Sequence, residues 1–311
     1  MNNLITISDK DYLLKALTLY ESLKTTQEQE FCLYVVCLDG ETEGVITSIN
    51  ESQLVAIPIS EMEEDNFEIR AIRYATPSPE AVSNGSAQGK DPKYVQFCWV
   101  LASYSCWYLL HRKGLDHVFY LDSDLYFYRD MKGIWEEIGD QSVGIVRHRI
   151  DYLPSSGEYN VGLVFFRNNY IGRRCCDWWK KILLAPGNPF YAEYGQCGDQ
   201  KYLELFPAIF GEDKVGVIDE TVGHLAPWSA TFHEYADEKL IWEDREQDLF
   251  FFHFAHFVPN LAENTYKTSY NNEWIWGDPE KAHPKVKELY DEYFQKTQFI
   301  SQKYKELRFV S

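Results

Sequence analysis

The 311-residue sequence predicts an α/β protein in which a central, mostly parallel sheet is flanked by helices. Short apolar runs rich in β-branched and aromatic residues recur at Leu4 to Ile7, Phe31 to Leu38 and Val118 to Leu121. That composition suits strands covered on both faces. Segments with helical apolar spacing lie between them, and strand–helix–strand alternation calls for right-handed crossovers between parallel strands. The third run then breaks into Asp122, Ser123 and Asp124, at the strand end where open α/β sheets bind ligands.

Taken in order, Leu4 to Ile7 reads as the first strand, and Ser8 or Asp9 can cap a helix whose apolar positions are Leu13, Leu14, Leu17, Tyr20 and Leu23. Phe31 to Leu38 is the second strand, closed by Asp39-Gly40; a short helix from Val45 to Asn50 and a strand from Gln53 to Pro58 follow. The stretch from Ser60 to Glu68 is acidic, and Ala75 to Asp91 is rich in Pro, Gly, Ser and Asn, which predicts a long loop, of a kind that in compact domains is usually functional or disordered. Tyr94 to Lys113 is a helix ended by Gly114. Beyond the Asp-Ser-Asp strand come a helix at Gly133 to Ile138 and strands at Ser142 to Val146 and Asn160 to Arg167. Helices at Arg173 to Leu184 and Asp199 to Phe206 are followed by strands at Val215 to Ile218 and Leu249 to His253. Pro284 to Leu307 is a terminal helix with Val286, Leu289, Tyr290, Tyr293 and Phe294 on one stripe.

Composition narrows the function. Aromatics reach 16%, with 9 Trp, 22 Tyr and 19 Phe, enough both for a core and for a groove that takes flat hydroxylated ligands such as sugars. The net charge of −18 comes with no basic tract, which excludes a nucleic acid polymer as partner and disfavours tight adsorption to anionic membrane. An anionic substrate must then be met by a local cation. The start shows no charged-then-apolar leader, and no run approaches the ~18 apolar residues of a spanning helix. The 7 Cys are scattered without zinc spacing. These features predict a soluble cytoplasmic protein with free thiols, touching the inner face of the membrane at most peripherally.

Asp122 and Asp124 are the first chemical candidates. In extended chain, residues i and i+2 point the same way, so both carboxylates face one site. Two ionised carboxylates this close repel unless a cation neutralises them, and a divalent ion carrying nucleotide phosphates does so well. The alternative is an acidic turn whose side chains cap backbone amides.

The ordered set LITISDKDY, FYLDSD, YNVGLVFFR, GDQKYL, GHLAPWS and FFHFAHF resembles nucleotide-sugar-dependent glycosyltransferases of the GT-A fold, a Rossmann-like arrangement. The resemblance is closest to the retaining family 8-type and related capsule or lipopolysaccharide transferases, and it runs from the first strand to about Val258. It implies a GT-A domain over 1–258, with a nucleotide-binding half (1–125) and a donor-sugar and acceptor half (126–258), and a helical C-terminal extension over 259–311. The implied reaction moves a hexose from a UDP-sugar, or another nucleotide sugar, to a hydroxyl on a glycan or lipid-linked acceptor, with retention; an inverting transferase is the alternative. By position, Thr6, Ser8, Asp9, Asp11 and Tyr12 meet the nucleoside. Asp122 and Asp124 hold Mn²⁺ or Mg²⁺ on the diphosphate, and Asp122 with Ser123 reaches toward the ribose or donor sugar. A late His is the third ligand, His253 or its rival His256; an imidazole beside carboxylates favours Mn²⁺. Asn160 and Gly162 lie beside the donor sugar, Asp199 and Gln200 by the anomeric carbon, and His224, Pro227 and Trp228 at the wall closing the site. Lys90, Lys93 and Arg149 are spare cations for the diphosphate.

The family's usual His-x-x-Gly-x-x-Lys-Pro-Trp ending is absent, since Phe-Ala-His-Phe-Val-Pro follows His253. Two rival readings remain. A sugar nucleotidyltransferase would open with a Gly-rich basic phosphate loop, and none follows Ile7. A non-catalytic carbohydrate-binding protein would explain the aromatics but not the acidic pair at a strand end.

Overall fold

The apolar runs become strands; the first two are each followed by a helix, and the third leads directly into a further strand. The computed structural model describes residues 1–75, 92–150, 157–185, 198–236, 239–268 and 283–309. In chain order the first half comprises β1 (Asn2–Ser8), α1 (Leu13–Thr26), β2 (Phe31–Cys37), α2 (Gly40–Ile49), β3 (Leu54–Pro58), α3 (Ile59–Asp65), α4 (Phe67–Ala75), α5 (Pro92–His111) and β4 (His117–Leu121). Then follow β5 (Leu125–Phe127), α6 (Lys132–Ile138), β6 (Val143–Arg147), β7 (Tyr159–Arg167), α7 (Tyr170–Leu184) and, after a 3-10 helix at Gln200–Leu205, α8 (Phe206–Phe210). The remainder is β8 (Val215–Ile218), β9 (Val222–Leu225), β10 (Glu234–Ala236), β11 (Lys239–Trp242), β12 (Arg245–His253), β13 (Val258–Asn260), β14 (Thr265–Lys267) and α9 (Pro284–Lys303). Local chemistry sets several starts: the Asp39 and Asn169 side chains accept from the amides of Thr42 and Gly172 and so cap α2 and α7.

The main sheet has seven strands in the order β3-β2-β1-β4-β7-β6-β8, and β7 alone runs against the rest. Both of its faces are covered, which is why its strands read as unbroken apolar runs rather than alternating ones. Val118 and Tyr120 join the cluster under α5 and α7; Phe119 and Leu121 join the opposite cluster under α1 and α6. The α/β expectation, with a mostly parallel sheet and a C-terminal helix, is met. The apolar stripe of α9 is buried as expected, with Tyr293 stacked on Phe254 at 3.9 Å.

Two departures from the sequence reading bear on the site. Leu249 to His253 is not a strand of the parallel sheet: it is the end of β12, in a second, five-stranded sheet ordered β10-β11-β12-β5, where β9 also pairs with β12. The short, half-polar strands β9 to β11 offer little periodicity to read. The acidic stretch, read above from composition alone, is helical, and Asp65 and Glu61 of α3 meet Arg112 and Lys113 beyond α5 at 2.6 and 2.7 Å. The helix expected from Asp199 to Phe206 is a 3-10 turn followed by α8. The loop expected between Ala75 and Asp91 lies, from residue 76 on, outside the described residues.

Phe119 packs fully buried against Phe165 and Trp135, at ring separations of 4.7 and 5.1 Å. Phe119→Ala should therefore cost about 3–5 kcal/mol through lost burial and a residual cavity. A urea titration that shows less than about 1 kcal/mol would mean the two layers collapse onto the gap.

Candidate metal and nucleotide site

β4 delivers its last residue, Leu121, to the sheet edge, and the chain then reverses. The Asp122 carbonyl accepts from the Leu125 amide at 3.1 Å, and the Asp122 amide donates to the Gly162 carbonyl at 2.9 Å. Asp122 to Asp124 is thus a turn, not the extended chain assumed above, and the two carboxylates converge because the turn closes under them. The returning strand β5 pairs antiparallel with β12, placing Leu125 opposite His253. The Phe254 amide donates to the Asp124 carbonyl at 2.8 Å and locks that register. His253 therefore reaches the acidic pair through this antiparallel pairing, rather than from a neighbouring parallel strand end.

The result is a three-residue cluster: one ligand-type atom each from Asp122, Asp124 and His253 lies within 4.8 Å of the others. His253 Nε2 sits 3.0 Å from Asp124 Oδ1 and 3.5 Å from Asp122 Oδ2. The other Asp124 oxygen, Oδ2, faces Lys15 Nζ at 3.3 Å. Burial alone would raise the Asp124 carboxyl, but the charges of Lys15 and His253 outweigh it and hold it well below the usual carboxylate range. Burial raises Asp122, which also accepts from the Tyr120 hydroxyl at 2.9 Å. Burial would lower His253, yet the Asp124 charge beside it prevails and its pKa is raised. His256 is exposed at the rim, with a left-handed φ of 60°, and stays out of the cluster.

A network of amides orients the imidazole. Asn160 Oδ1 accepts from the Gly162 amide at 2.8 Å and lies 3.3 Å from His253 Nδ1, so Nδ1 keeps its proton and Nε2 faces the carboxylates. Asn160 Nδ2 donates to Gln200 Oε1 at 2.8 Å and lies 3.4 Å from His148 Nε2. All four bonding positions of the Asn160 amide are engaged. It therefore connects His253 to Gln200, instead of offering a free group to a sugar as expected. Gly162 has a steric duty: a Cβ there would stand 2.6 Å from Asn160 Oδ1 and 2.8 Å from His253 Nδ1. Gln200 Oε1 also accepts from the Val161 amide at 3.1 Å, and Asp199 Oδ1 from the Gln200 amide at 2.8 Å. Asp199 is buried, and that burial, with Asp122 nearby, raises its carboxyl to about 7.

These groups line a cleft of about 400 Å³ that runs from Ile7, Ser8, Asp9 and Tyr12 past Ser123 to Asp199 and Gln200. Asp9 closes the turn before α1, accepting from the Asp11 and Tyr12 amides, while its second oxygen takes the Tyr94 hydroxyl at 2.8 Å. Trp228 forms a wall, edge-on to His253 at 5.1 Å and to His148 at 5.5 Å. The remaining expectations are not met by the geometry. Thr6 is buried within β1, Asp11 and Lys93 are exposed, and none of the three lines the cleft. His224 is buried against Phe251, away from it. Arg149 is no spare cation: it is fully buried, paired with Asp219 at 2.8 Å and bonded to the carbonyls of Val222, His224 and Asp219. Lys90 lies outside the described residues.

Four residues of the site escaped the sequence reading: Lys15, Tyr94, Tyr120 and His148. Lys15 alone left a signal, a charge set within Leu13, Leu14, Ala16 and Leu17 where the helix has no polar face. The tyrosines sit in apolar runs, and nothing local separates their hydroxyl role from core packing.

No family model matches the chain. It is 27% identical over 274 residues to the Bacillus subtilis (strain 168) protein YfnF, covering 80% of each chain. A second protein of that strain, YfnD, is 21% identical over 260 residues, covering 81% of this chain and 77% of its own. Both are described as uncharacterized. Among solved structures, the apo form of mouse xyloside xylosyltransferase 1 matches with a TM-score of 0.52 at 16% identity, over 83% of this chain and 99% of its own. The galactosyltransferase LgtC, in complex with donor and acceptor sugar analogs, matches with a TM-score of 0.52 at 12% identity, over 98% and 95%. At these identities the likeness is one of fold, and it is the fold that the motifs implied.

The crowding at Gly162 gives a direct check. Gly162→Ala should displace the His253 ring, or the Asn160 amide that orients it, and so disturb the Nε2–Asp124 contact; with that contact weakened, burial dominates and the raised imidazole pKa should fall. An NMR titration of the metal-free protein reads this, and an unchanged pKa would show that the ring does not depend on that gap.

Proposed function

We propose that the chain is a metal-dependent glycosyltransferase that moves a hexose from a UDP-sugar, or another nucleotide sugar, to a hydroxyl of a glycan or lipid-linked saccharide. One observation carries the reading: Asp122, Asp124 and His253 converge at a cleft, in a fold shared with two solved glycosyltransferases, one of them in complex with donor and acceptor sugar analogs. The donor set fits a divalent ion, and an imidazole nitrogen beside two carboxylates suits Mn²⁺ better than Mg²⁺. Bound there, the ion would neutralise the departing diphosphate and so ease cleavage of the C1–O bond.

The chain's own groups divide the remaining work. Ser8 and Tyr12 stand at the nucleoside end of the cleft, with the Tyr12 side chain as part of its lining. Asp122 and Ser123 occupy its middle. Asp199 and Gln200 stand at the sugar end, where a carboxylate beside the anomeric carbon stabilises an oxocarbenium-like transition state, as a retaining reaction needs. Trp228 offers a ring face or edge to the sugar. One observation favours an inverting reaction instead: a buried carboxyl with a pKa of about 7 is well matched to a general base. The anomeric configuration of the product, read by NMR, separates the two. No helix among the described residues is long and apolar enough to cross a membrane. The proposed setting is the cytoplasm, near the inner membrane face when the acceptor is lipid-linked.

UDP binding should require a divalent ion, because a protein of charge −18 otherwise repels a diphosphate at its acidic pair. Calorimetry with Mn²⁺ and with EDTA tests this; equal affinity in both would end the metal reading. Asp122→Asn should abolish the Mn²⁺-dependent part while leaving the melting temperature close to wild type, since Asp122 is a quarter exposed. Metal binding should also release a proton from His253, whose pKa is raised above 6.5. Affinity for Mn²⁺ should accordingly decline as pH falls, beginning above 6.5 rather than below it; a flat profile from pH 6 to 8 would remove His253 from the ligand set.

A further inference from the structure

Lys15 takes no part in the function proposed so far, yet its position is unusual. It sits in the first turn of α1 among Leu13, Leu14, Ala16 and Leu17, all buried, and is itself 5% exposed. A buried ammonium persists only where a counter-charge meets it. Its Nζ lies 3.3 Å from Asp124 Oδ2 and 4.3 Å from the centre of the Tyr12 ring. His253 meets the other oxygen of the same carboxylate at 3.0 Å. Asp124 thus turns one oxygen to a fixed cation and the other to the cluster, and Lys15, absent from the cleft lining, acts through it.

We infer that Lys15 is a built-in rival cation that keeps the site weak for a bare divalent ion and makes its occupation conditional on a nucleoside diphosphate. This rests on the metal reading above. Two carboxylates, one ammonium and a metal-ligating neutral imidazole leave a single net negative charge for an incoming divalent ion, in a setting where water screens little. The ion gains less attraction than an unopposed acidic pair would give it. A diphosphate reverses the balance by bringing negative charge to ion and ammonium together. Coupling between two ligands is reciprocal, so whatever UDP adds to Mn²⁺ affinity, Mn²⁺ adds to UDP affinity. Lys15 raises that coupling by lowering the starting point. The protein would then hold the ion when the donor is present and release it after the nucleotide leaves.

The test measures Mn²⁺ binding by electron paramagnetic resonance, with the metal alone and with saturating UDP, for wild type, Lys15→Met, Lys15→Gln and Lys15→Arg. The neutral variants should bind bare Mn²⁺ at least tenfold more tightly, about 1.4 kcal/mol, and the enhancement by UDP should shrink by a similar factor. Lys15→Arg keeps the charge and should stay near wild type in both arms. Lys15→Gln retains a hydrogen-bond donor for Asp124 Oδ2, so a folding defect confined to Lys15→Met leaves the test intact. Neutral variants whose bare-metal affinity is unchanged or weaker would overturn the inference and make Lys15 a mere orienter of Asp124. Wild-type protein that binds no Mn²⁺ even with UDP would overturn the metal reading itself.

Discussion

Two carboxylates in a closed turn, Asp122 and Asp124, impose the constraint that the surrounding structure answers. Partly or wholly withdrawn from water, they cannot both stay ionised without positive charge beside them. The fold meets that need from two directions. Lys15 comes from α1 at the start of the chain, and His253 comes from β12 near its end. The neutral groups fall into place behind these: Asn160 orients the imidazole, Gly162 gives it room, Tyr120 donates to Asp122, and Trp228 covers the ring edge. Removing any one of them alters how the charges meet.

The backbone makes this convergence possible by joining two sheets at one turn. β4 ends in the parallel sheet, and β5, three residues later, belongs to the antiparallel one. The acidic turn is therefore the seam between the two layers. Its geometry is fixed from one side by the Gly162 carbonyl on β7 and from the other by the Phe254 amide beyond β12. A site placed on a seam inherits the rigidity of both sheets, which is what a set of preorganised charges requires.

Much of this was legible in the sequence, for reasons that differ by element. Strands buried on both faces announce themselves as unbroken apolar runs, and Val118 to Leu121 is such a run, so the acidic pair could be placed at a strand end. The stripe on α9 was equally plain, because helical periodicity survives in a helix with one wet face. The second sheet was not legible: β9 to β11 are three or four residues long, β10 and β11 are exposed in part, and all three gain their order from pairing rather than pattern. That gap hid how His253 reaches the acidic turn, because its strand was read as part of the parallel sheet and belongs to the second one. Arg149 misled for a related reason. A buried arginine that binds carbonyls of a distant turn looks, in one dimension, the same as one waiting for phosphate.

The packing of α9 against β12 has a consequence for how the site is held together. Phe254, the residue after His253, stacks on Tyr293, and Tyr290 and Phe257 complete the same layer. The wall behind the histidine is thus drawn from α9, far along the chain from the acidic turn that it serves. Lys15 and Asp124, by contrast, both lie in the first half of the chain. One oxygen of Asp124 is therefore met by a cation close to it in the N-terminal half, whereas the contact at the other oxygen depends also on the packing of α9 behind Phe254.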